Sequence, residues 1–268
     1  MCTACEWAPH FSALTANRRT VLRAATIVAA TAAVGTLAAC APLQKTPTPL
    51  TVGRGQLVLP PGEWIDLGTS DQDLILLPEV GDTLALQTRA VGLRGPDNTW
   101  LAVLKVQTNS SNDLRSEARW TDTCPQQKGV LVEDATAAET AKARLTSHVR
   151  IDCLRFKRLA NHEAWMQENQ PVLELWLSHH KVAPSQPYSH LHYRYATQGG
   201  AYVDIQAVVD QRLLRPATRN NHEFLAAGRP GQTWSHALAQ AARQSAALMD
   251  GALVIPAFPI AFPIALSQ

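Results

Sequence analysis

Two histidines, one arginine and one aspartate are the best candidates in this sequence for binding a ligand or a metal. His190 and His192 alternate along a predicted strand, so their imidazoles lie on one face of it. Arg194 follows on that face, and a hairpin over residues 189–210 brings Asp204 opposite Arg194 as an ion pair. Imidazoles and a carboxylate can ligate a metal, but Arg194 would repel a cation, which favours an anionic or carboxylate ligand over zinc. A polar face that is solvated or covered by a helix is the alternative.

The register of this hairpin follows from its apolar residues. A three-residue loop, 198–200, puts the bulky apolar side chains of both strands on one face, whereas a two-residue loop mixes the aromatic and charged sets. The apolar face then carries Leu191, Tyr193, Tyr195, Val203, Ile205 and Ala207. Because the buried face sets the register of a strand, we expect a loop of three or five residues.

Known catalytic motifs are absent from the sequence. There is no Gly-x-Ser-x-Gly elbow, no phosphate loop and no Gly-x-Gly-x-x-Gly motif. His162-Glu163 and His222-Glu223 begin like the zinc-protease motif, but neither has the second histidine one helical turn further on. The sequence therefore predicts no catalytic residue, no bound metal and no cofactor.

Tryptophan is frequent in this chain, with seven residues. Large aromatic side chains most often fill a core. A surface that faces sugar or peptidoglycan uses them as well, and their spacing here does not separate the two uses.

The N-terminal segment has the three parts of a signal peptide. Residues 17–23 carry three arginines, and residues 24–39 form an uncharged, weakly apolar run that ends in small residues. These sixteen residues fall short of the ~20 that a membrane-spanning helix needs. The run ends in Leu37-Ala38-Ala39-Cys40, which resembles the lipobox of bacterial lipoproteins. The resemblance implies cleavage before Cys40 and a lipid on its thiol; an ordinary signal peptide with a chance cysteine is the alternative.

Arg18 and Arg19 form a pair that is similar to the twin-arginine export signal. Val21-Leu22 and Arg23 stand where that family prefers Phe-Leu and Lys, and Asn17 replaces its usual Ser or Thr. Twin-arginine export and the general secretory route therefore both stay open.

The lipoprotein resemblance implies attachment to a membrane through the lipid on Cys40, with the folded part facing the periplasm. Ala41, in place of Asp after the cysteine, implies the outer membrane over the inner one. Of the 24 basic and 22 acidic residues, three arginines and one glutamate lie within residues 1–39, so the remainder has no formal net charge. This gives no reason to expect nucleic-acid binding. Besides the membrane, a protein of the cell envelope is a candidate partner.

Cys124 and Cys153 are the cysteines that follow Cys40. Two such residues usually pair in an oxidising periplasm. We therefore expect a disulfide, which in the chain-entropy estimate stabilises the fold by about 3–4 kcal/mol. A free thiol or a catalytic cysteine is the alternative.

Composition divides the chain into four parts. Residues 1–39 are the predicted signal peptide, and residues 40–55 join the lipidated cysteine to a Pro- and Thr-rich linker with little that could pack. Residues 56–251 are the predicted globular domain. Residues 252–268 form an apolar tail with a tandem Ala-Phe-Pro-Ile repeat, whose prolines exclude a helix or a central strand. The tail either packs over the domain as an extended strap or stays free for a partner.

Strand and helix patterns both occur in the predicted domain. Besides the hairpin, strands are expected at residues 56–59, 74–77, 84–93, 99–108 and 149–159, with residues 74–77 as a short buried run. Helices are expected at residues 135–145, 162–169, 171–181 and 232–250. The helix that starts at Pro171 is expected to bury Val172, Leu175 and Trp176, and the last helix to bury a stripe that includes Trp234 and Leu238.

These elements predict an α+β fold, a mostly antiparallel sheet with helices packed on it in a single domain. Their order over about residues 56–250 resembles the Mog1/PsbP-like sandwich, from which no functional residue carries over. The sequence favours a membrane-anchored envelope lipoprotein that binds a ligand or has a structural role without catalysis. The second hypothesis is an envelope enzyme, metal-assisted, that uses the face of His190 and His192.

Overall fold

The computed structural model describes residues 49–77, 82–111, 120, 124–138, 148–162, 164–226, 229–247 and 251–260. The predicted signal peptide, Cys40 and the first part of the predicted linker lie outside the described residues, and so do residues 261–268. The described residues belong to one unit of the fold, Lys45–Gln268.

The described residues form ten strands and six helices. The strands are β1 (Leu50–Val52), β2 (Gly55–Val58), β3 (Glu63–Leu77), β4 (Asp82–Arg94), β5 (Trp100–Asn109), β6 (Leu131–Asp134), β7 (Val149–Lys157), β8 (Tyr188–Thr197), β9 (Tyr202–Asp210) and β10 (Ala252–Val254). The helices are α1 (Ala135–Ala138), α2 (Trp165–Asn169), α3 (Pro171–His179), α4 (Gln211–Leu214), α5 (Asn221–Ala226) and α6 (Pro230–Ala247).

Seven of these strands form an antiparallel sheet in the order β3-β4-β5-β9-β8-β7-β6. A second sheet has β2 at its centre, with β1 antiparallel and β10 parallel to it. Helix α6 packs on one face of the large sheet, and α2 and α3 pack on the other. The predicted α+β fold is therefore confirmed.

The loop between β4 and β5 consists of the five residues 95–99. Arg94 pairs with Trp100 across the hairpin, and the backbone N–H of Gly95 donates to the carbonyl of Thr99 at 2.9 Å. Asn98 adopts a positive φ of 58° in this loop. Asparagine tolerates that conformation better than most residues.

The hairpin of β8 and β9 has the predicted register. The backbone N–H of Thr197 donates to the carbonyl of Ala201 at 2.9 Å, which closes the three-residue loop 198–200. Arg194 therefore stands opposite Asp204. The alternation of apolar residues was sufficient to fix this register, because a slip by one residue would expose the apolar set.

Helix α6 closes the main core. Trp234 and Leu238 on its inner face are 3% and 0% exposed, as the predicted stripe requires. They pack in one cluster with Leu104 and Ile205 of the central strands. The indole N–H of Trp234 donates to the carbonyl of Pro256 at 3.0 Å, so its one polar atom is satisfied. Burial of each large apolar side chain stabilises the fold by about 1.5–3 kcal/mol.

A buried carboxylate fixes α6 against the sheet. Asp152 of β7 is 7% exposed. Its oxygens accept from Nε and Nη2 of Arg243 at 2.8 and 3.0 Å and from the hydroxyl of Tyr193 at 2.9 Å. Burial, together with the charge of Asp152, raises the pKa of Tyr193, so this phenol stays protonated and keeps donating.

The folded domain extends beyond the predicted limits of residues 56 and 251. Leu50 and Val52 belong to β1, and Val52 is 2% exposed. At the other end, Leu253 is 3% exposed in β10, and Phe258 stacks on Trp234 with ring centroids 5.2 Å apart. Residues 252–260 therefore pack on the domain as the strap alternative expects. The sequence did not predict β1 because the segment is rich in Pro and Thr and its apolar alternation covers only three residues.

Two predicted burial patterns are wrong. In α3, Val172 and Leu175 are 75% and 72% exposed, and the helix buries Leu173 and Leu177 instead. Both sets of residues have helical spacing, and the contacts of α3 with the sheet determine which set is buried. The predicted buried strand at residues 74–77 is the end of the edge strand β3, where Ile75 is 62% exposed.

Candidate functional site

The sheet face opposite α6 carries two apolar clusters. At one end, α2 and α3 cover Val103 and Val208. At the other end, the disulfide between Cys124 and Cys153 lies in the same cluster as Tyr202. Polar side chains occupy the surface between the two clusters.

These polar side chains form a strip that crosses four strands on two adjacent rungs. The polar strip consists of Lys105, Gln206, His192 and Arg155 on one rung and of Gln107, Asp204 and Arg194 on the next. All seven residues are partly exposed. From standard strand geometry, the strip spans about 7 Å along the strands and about 14 Å across them. It is therefore large enough for a small molecule and too small for an extended protein interface.

Asp204 is the hub of the polar strip. Its Oδ2 lies 3.0 Å from Nε2 of His192 and 3.3 Å from Nε of Arg194. The hydroxyl of Tyr202 also donates to Oδ2, at 3.4 Å. Burial alone would raise the pKa of Asp204, but the charges and hydrogen bonds of these neighbours outweigh it and hold the pKa below its ordinary value. Asp204 is thus an ionised, well-paired carboxylate, and the predicted pair with Arg194 is confirmed.

His190 has a different environment from His192, although the sequence places them together. It is 1% exposed beneath α2, with its ring centroid 5.6 Å from that of Trp165. Burial, aided by the charges of His192 and Arg155, lowers the pKa of His190 to about 3. The imidazole is therefore neutral at physiological pH. Its Nε2 has no hydrogen-bond partner among the described residues.

Gln206 and Lys105 complete the first rung. The side-chain oxygen of Gln206 is buried and, within the described part of the chain, also has no hydrogen-bond partner. The ammonium of Lys105 lies 5.2 Å from the centroid of the Trp176 ring. Burial lowers the pKa of Lys105, and the charge of Asp204 acts against this effect. Aromatic contact and a nearby carboxylate both favour the charged form of a lysine.

Aromatic residues flank the polar strip on both sides. Trp165 and Trp176 come from α2 and α3, and the ammonium of Lys157 lies 5.6 Å from the Trp165 centroid. On the other side, Trp120 stacks on Tyr202 at 5.4 Å with the rings 8° from parallel. The three tryptophans are partly exposed, whereas Tyr202 is buried. The strip is thus a polar floor between aromatic borders.

The disulfide holds one of these borders in place. Cys124 and Cys153 are bonded, with Cα atoms 5.8 Å apart, and this is the pair that the sequence predicts. Cys153 stands opposite Arg194 in the sheet. The indole N–H of Trp120 donates to the carbonyl of Thr197 at 2.8 Å, which anchors the same segment to β8.

The charges of the strip suit an anion better than a metal. Lys105, Arg155 and Arg194 carry positive charge against the single carboxylate of Asp204. Among the described residues, no group of three His, Cys, Asp or Glu side chains is placed to hold a metal ion. Sequence reasoning missed Lys105, Gln107 and Arg155, which reach the strip through strand pairing, whereas Gln206 lies opposite His192 in the predicted hairpin register. Once the hairpin register is known, alternation along β5 and β7 would have found them.

Comparison with known proteins does not identify the chain. No protein-family model, no curated protein and no solved structure matches it at a significant level. The resemblance to the Mog1/PsbP-like sandwich stays a prediction. None of the helices in the described ranges is long and apolar enough to cross a membrane. Arg18, Arg19 and Cys40, the residues of the predicted export signal and lipidation site, lie outside those ranges.

Proposed function

We propose that this chain is a lipid-anchored protein of the bacterial cell envelope whose folded domain binds an anionic ligand without catalysing a reaction. Its export signal includes Arg18 and Arg19, and the lipid on Cys40 holds it at the membrane, facing the periplasm. The L-A-A-C ending and Ala41 support this location, with the outer membrane preferred over the inner one. A protein partner in the envelope is compatible with it.

The observation that supports ligand binding is the charge of the polar strip. Three cationic side chains lie within two rungs of the sheet, and the carboxylate of Asp204 is already paired with Arg194 and His192. Their partial burial matters, since a charge removed from bulk water attracts an anion more strongly than a fully solvated one. On a sheet face that only contacts solvent, such charged side chains would be fully exposed.

The test uses the full chain, extracted from membranes in detergent. Isothermal titration calorimetry with succinate and with sulfate measures anion binding directly. Arg155→Gln should weaken binding of the preferred anion by about tenfold or more, because it removes a charged hydrogen-bond donor. Arg219→Gln is the matched control: this arginine is exposed in the loop before α5, outside the strip, so its loss should leave the affinity unchanged.

Two results would contradict the proposal. One is that neither succinate nor sulfate binds to the unmodified protein. The other is that Arg155→Gln and Arg219→Gln weaken binding equally, which would mean general charge attraction with no site in the strip.

A further inference from the structure

A cavity with three arginines lies at the N-terminal end of α6. Its volume is about 350 Å³, and it is lined by residues of β6, β7, α4 and α6 and of the segments that follow or precede them. Arg158 comes directly after β7, Arg215 directly after α4 and Arg229 directly before α6. None of the described residues that line this arginine cavity is Asp or Glu, and none belongs to the polar strip. The cavity is therefore a separate, positively charged space.

Buried side chains hold the main chain at two of these arginines. Ser189 and Gln211, which also line the cavity, are 2% and 5% exposed. The hydroxyl of Ser189 donates to the carbonyl of Arg158 at 2.7 Å, and Nε2 of Gln211 donates to the same carbonyl. The backbone N–H of Arg215 donates to the carbonyl of Gln211 at 3.0 Å. One buried glutamine thus links the two arginines, so their positions around the cavity are fixed by the fold.

The first turn of α6 adds backbone donors to the cavity. The carbonyl of Arg229 accepts from the N–H of Thr233 at 3.0 Å, which makes Arg229 the N-cap of the helix. An arginine side chain has no acceptor, so it cannot cap the first N–H groups as Ser or Asp would. The first turn also contains no acidic residue. Gly231 and Gln232 of this turn line the cavity, where helix N–H groups have no acceptor within the helix and form the positive end of its dipole.

The remaining wall of the cavity is partly apolar. Leu131, Phe156 and Pro230 line it and are partly exposed. A volume of about 350 Å³ is within the range of sites for organic molecules, about 300–1,000 Å³, and exceeds what a bare inorganic anion fills. The cavity therefore suits an anionic group attached to an organic part.

The donors favour a phosphate over a carboxylate as the anionic group. A carboxylate has two oxygens, whereas a phosphate monoester has three terminal oxygens and a charge of about −1.5 to −2 at pH 7. Guanidinium groups bind phosphate through paired N–H···O bonds, and helix N-termini favour phosphate as well. The set of three arginines and one helix N-terminus thus matches the charge and the oxygens of a monoester.

We infer that the arginine cavity binds the phosphate monoester group of an organic molecule. Arg158, Arg215, Arg229 and the first turn of α6 bind the phosphate, and the apolar wall contacts the organic part. This site is additional to the polar strip and does not depend on anion binding there. The same phosphate chemistry occurs in soluble phosphate esters and in the headgroup of phosphatidic acid.

Three probes separate the requirements of the cavity. Phenyl phosphate has a phosphate monoester and an apolar ring, phenyl sulfate has the same ring with a single negative charge, and inorganic phosphate has no ring. Calorimetry above pH 7 on the detergent-extracted full chain should show phenyl phosphate binding at least about tenfold tighter than either of the others. The second negative charge strengthens the contacts with arginine, and the ring is removed from water against the apolar wall.

Arg229→Gln removes one guanidinium from the cavity. It should weaken phenyl phosphate binding by about tenfold or more. A cation at a helix N-terminus does not stabilise the helix, so the melting temperature should not fall. Arg219→Gln is the matched control, since this arginine is exposed and does not line the cavity. Arg155→Gln, in the polar strip, is the second control, and neither control should change the affinity for phenyl phosphate.

The two sources of the phosphate are distinguished with the full chain in nanodiscs. Phenyl phosphate is titrated into nanodiscs of phosphatidylcholine alone, with added phosphatidic acid, and with added phosphatidylglycerol, whose phosphate is a diester. Weaker binding with phosphatidic acid than with phosphatidylglycerol assigns the cavity to the lipid headgroup, because the lipid then competes for it. Equal binding with the two lipids assigns it to a soluble phosphate ester.

Three results would overturn the inference. Phenyl phosphate does not bind, phenyl sulfate binds as tightly as phenyl phosphate, or Arg229→Gln weakens phenyl phosphate binding no more than the two controls do. If Arg155→Gln alone weakens it, the phosphate binds on the polar strip, and the cavity is not its site. The test of the strip with succinate is independent of all these results, so the failure of either proposal can be recognised separately.

Discussion

The imidazole of His192 and the carboxylate of Asp204 face each other across the β8–β9 hairpin, with 3.0 Å between Nε2 and Oδ2. The two residues are not directly opposite: His192 pairs with Gln206, and Asp204 pairs with Arg194. This diagonal contact turns Asp204 away from solvent, so that its side chain is 15% exposed. The one carboxylate of the strip is thereby paired with both His192 and Arg194.

Replacement of this carboxylate should weaken the fold. Asp204→Asn loses the ion pair with Arg194 and should lower the free energy of unfolding by about 1–3 kcal/mol at pH 7. Because the folded protein holds the pKa of Asp204 below its ordinary value of 3.8, the ionised group stabilises the fold above that pH. The contribution is lost as the pH falls below it. Urea unfolding of both proteins at pH 7 and pH 3 measures the difference, which should shrink in acid; a constant difference contradicts this account.

His190 should make the protein sensitive to acid at a higher pH than Asp204 does. The folded state keeps the pKa of His190 at about 3, whereas an unfolded histidine binds a proton near pH 6.5. Between these values the unfolded state binds the extra proton, so stability falls as the pH falls, by at most about 1.4 kcal/mol per pH unit. His190→Leu removes this slope. Unfolding free energies at pH 7, 6, 5 and 4 should diverge between parent and variant, and parallel curves would mean that the imidazole is not buried as a neutral group.

The sequence was informative wherever apolar alternation was unambiguous. The β8–β9 register followed from one apolar face, and with it the pairing of Arg194 with Asp204. The same alternation could not show that His190 is buried and His192 partly exposed. That difference is created by Trp165, which α2 brings over His190 from outside the hairpin.

Other features depend on contacts between segments far apart in the sequence. Lys105 joins the strip because β5 pairs with β9, and Arg155 because β7 pairs with β8. In α3, Val172 and Leu173 each belong to an apolar set with helical spacing. Only the position of the sheet determines that the set of Leu173 is buried and that of Val172 is exposed. Local patterns carry no information on such choices.

The disulfide should stabilise both the fold and one border of the strip. Removal of the bond in the double variant Cys124→Ser, Cys153→Ser should lower the free energy of unfolding by about 3 kcal/mol, because the bond spans 29 residues. Reducing agent should lower the melting temperature of the parent and leave the double variant unchanged. Alkylation and mass spectrometry of exported protein check the bond itself, and two alkylated thiols without prior reduction would rule it out.

The export route can be tested at the arginine pair. Arg18→Lys combined with Arg19→Lys should block a twin-arginine substrate and leave a general secretory substrate largely unaffected. Measurement of the protein in periplasmic and membrane fractions decides between them, and unchanged export of the double variant excludes the twin-arginine route. Twin-arginine substrates fold before export in a reducing cytosol, so on that route the double cysteine-to-serine variant must fold well enough to be exported too.

Lipidation at Cys40 makes the sharpest prediction about location. If the L-A-A-C ending is a lipobox, the thiol of Cys40 is the acceptor, and Cys40→Ser has no group that can form the thioether. The variant should incorporate no labelled palmitate and should accumulate as a precursor larger than the mature protein by the mass of residues 1–39. The control is the variant with Cys124→Ser and Cys153→Ser, which keeps Cys40 and should still incorporate palmitate. Labelling and gel mobility are measured on the same samples. Loss of the label with normal cleavage would indicate an ordinary signal peptide. A label that persists on Cys40→Ser would place the lipid on another residue.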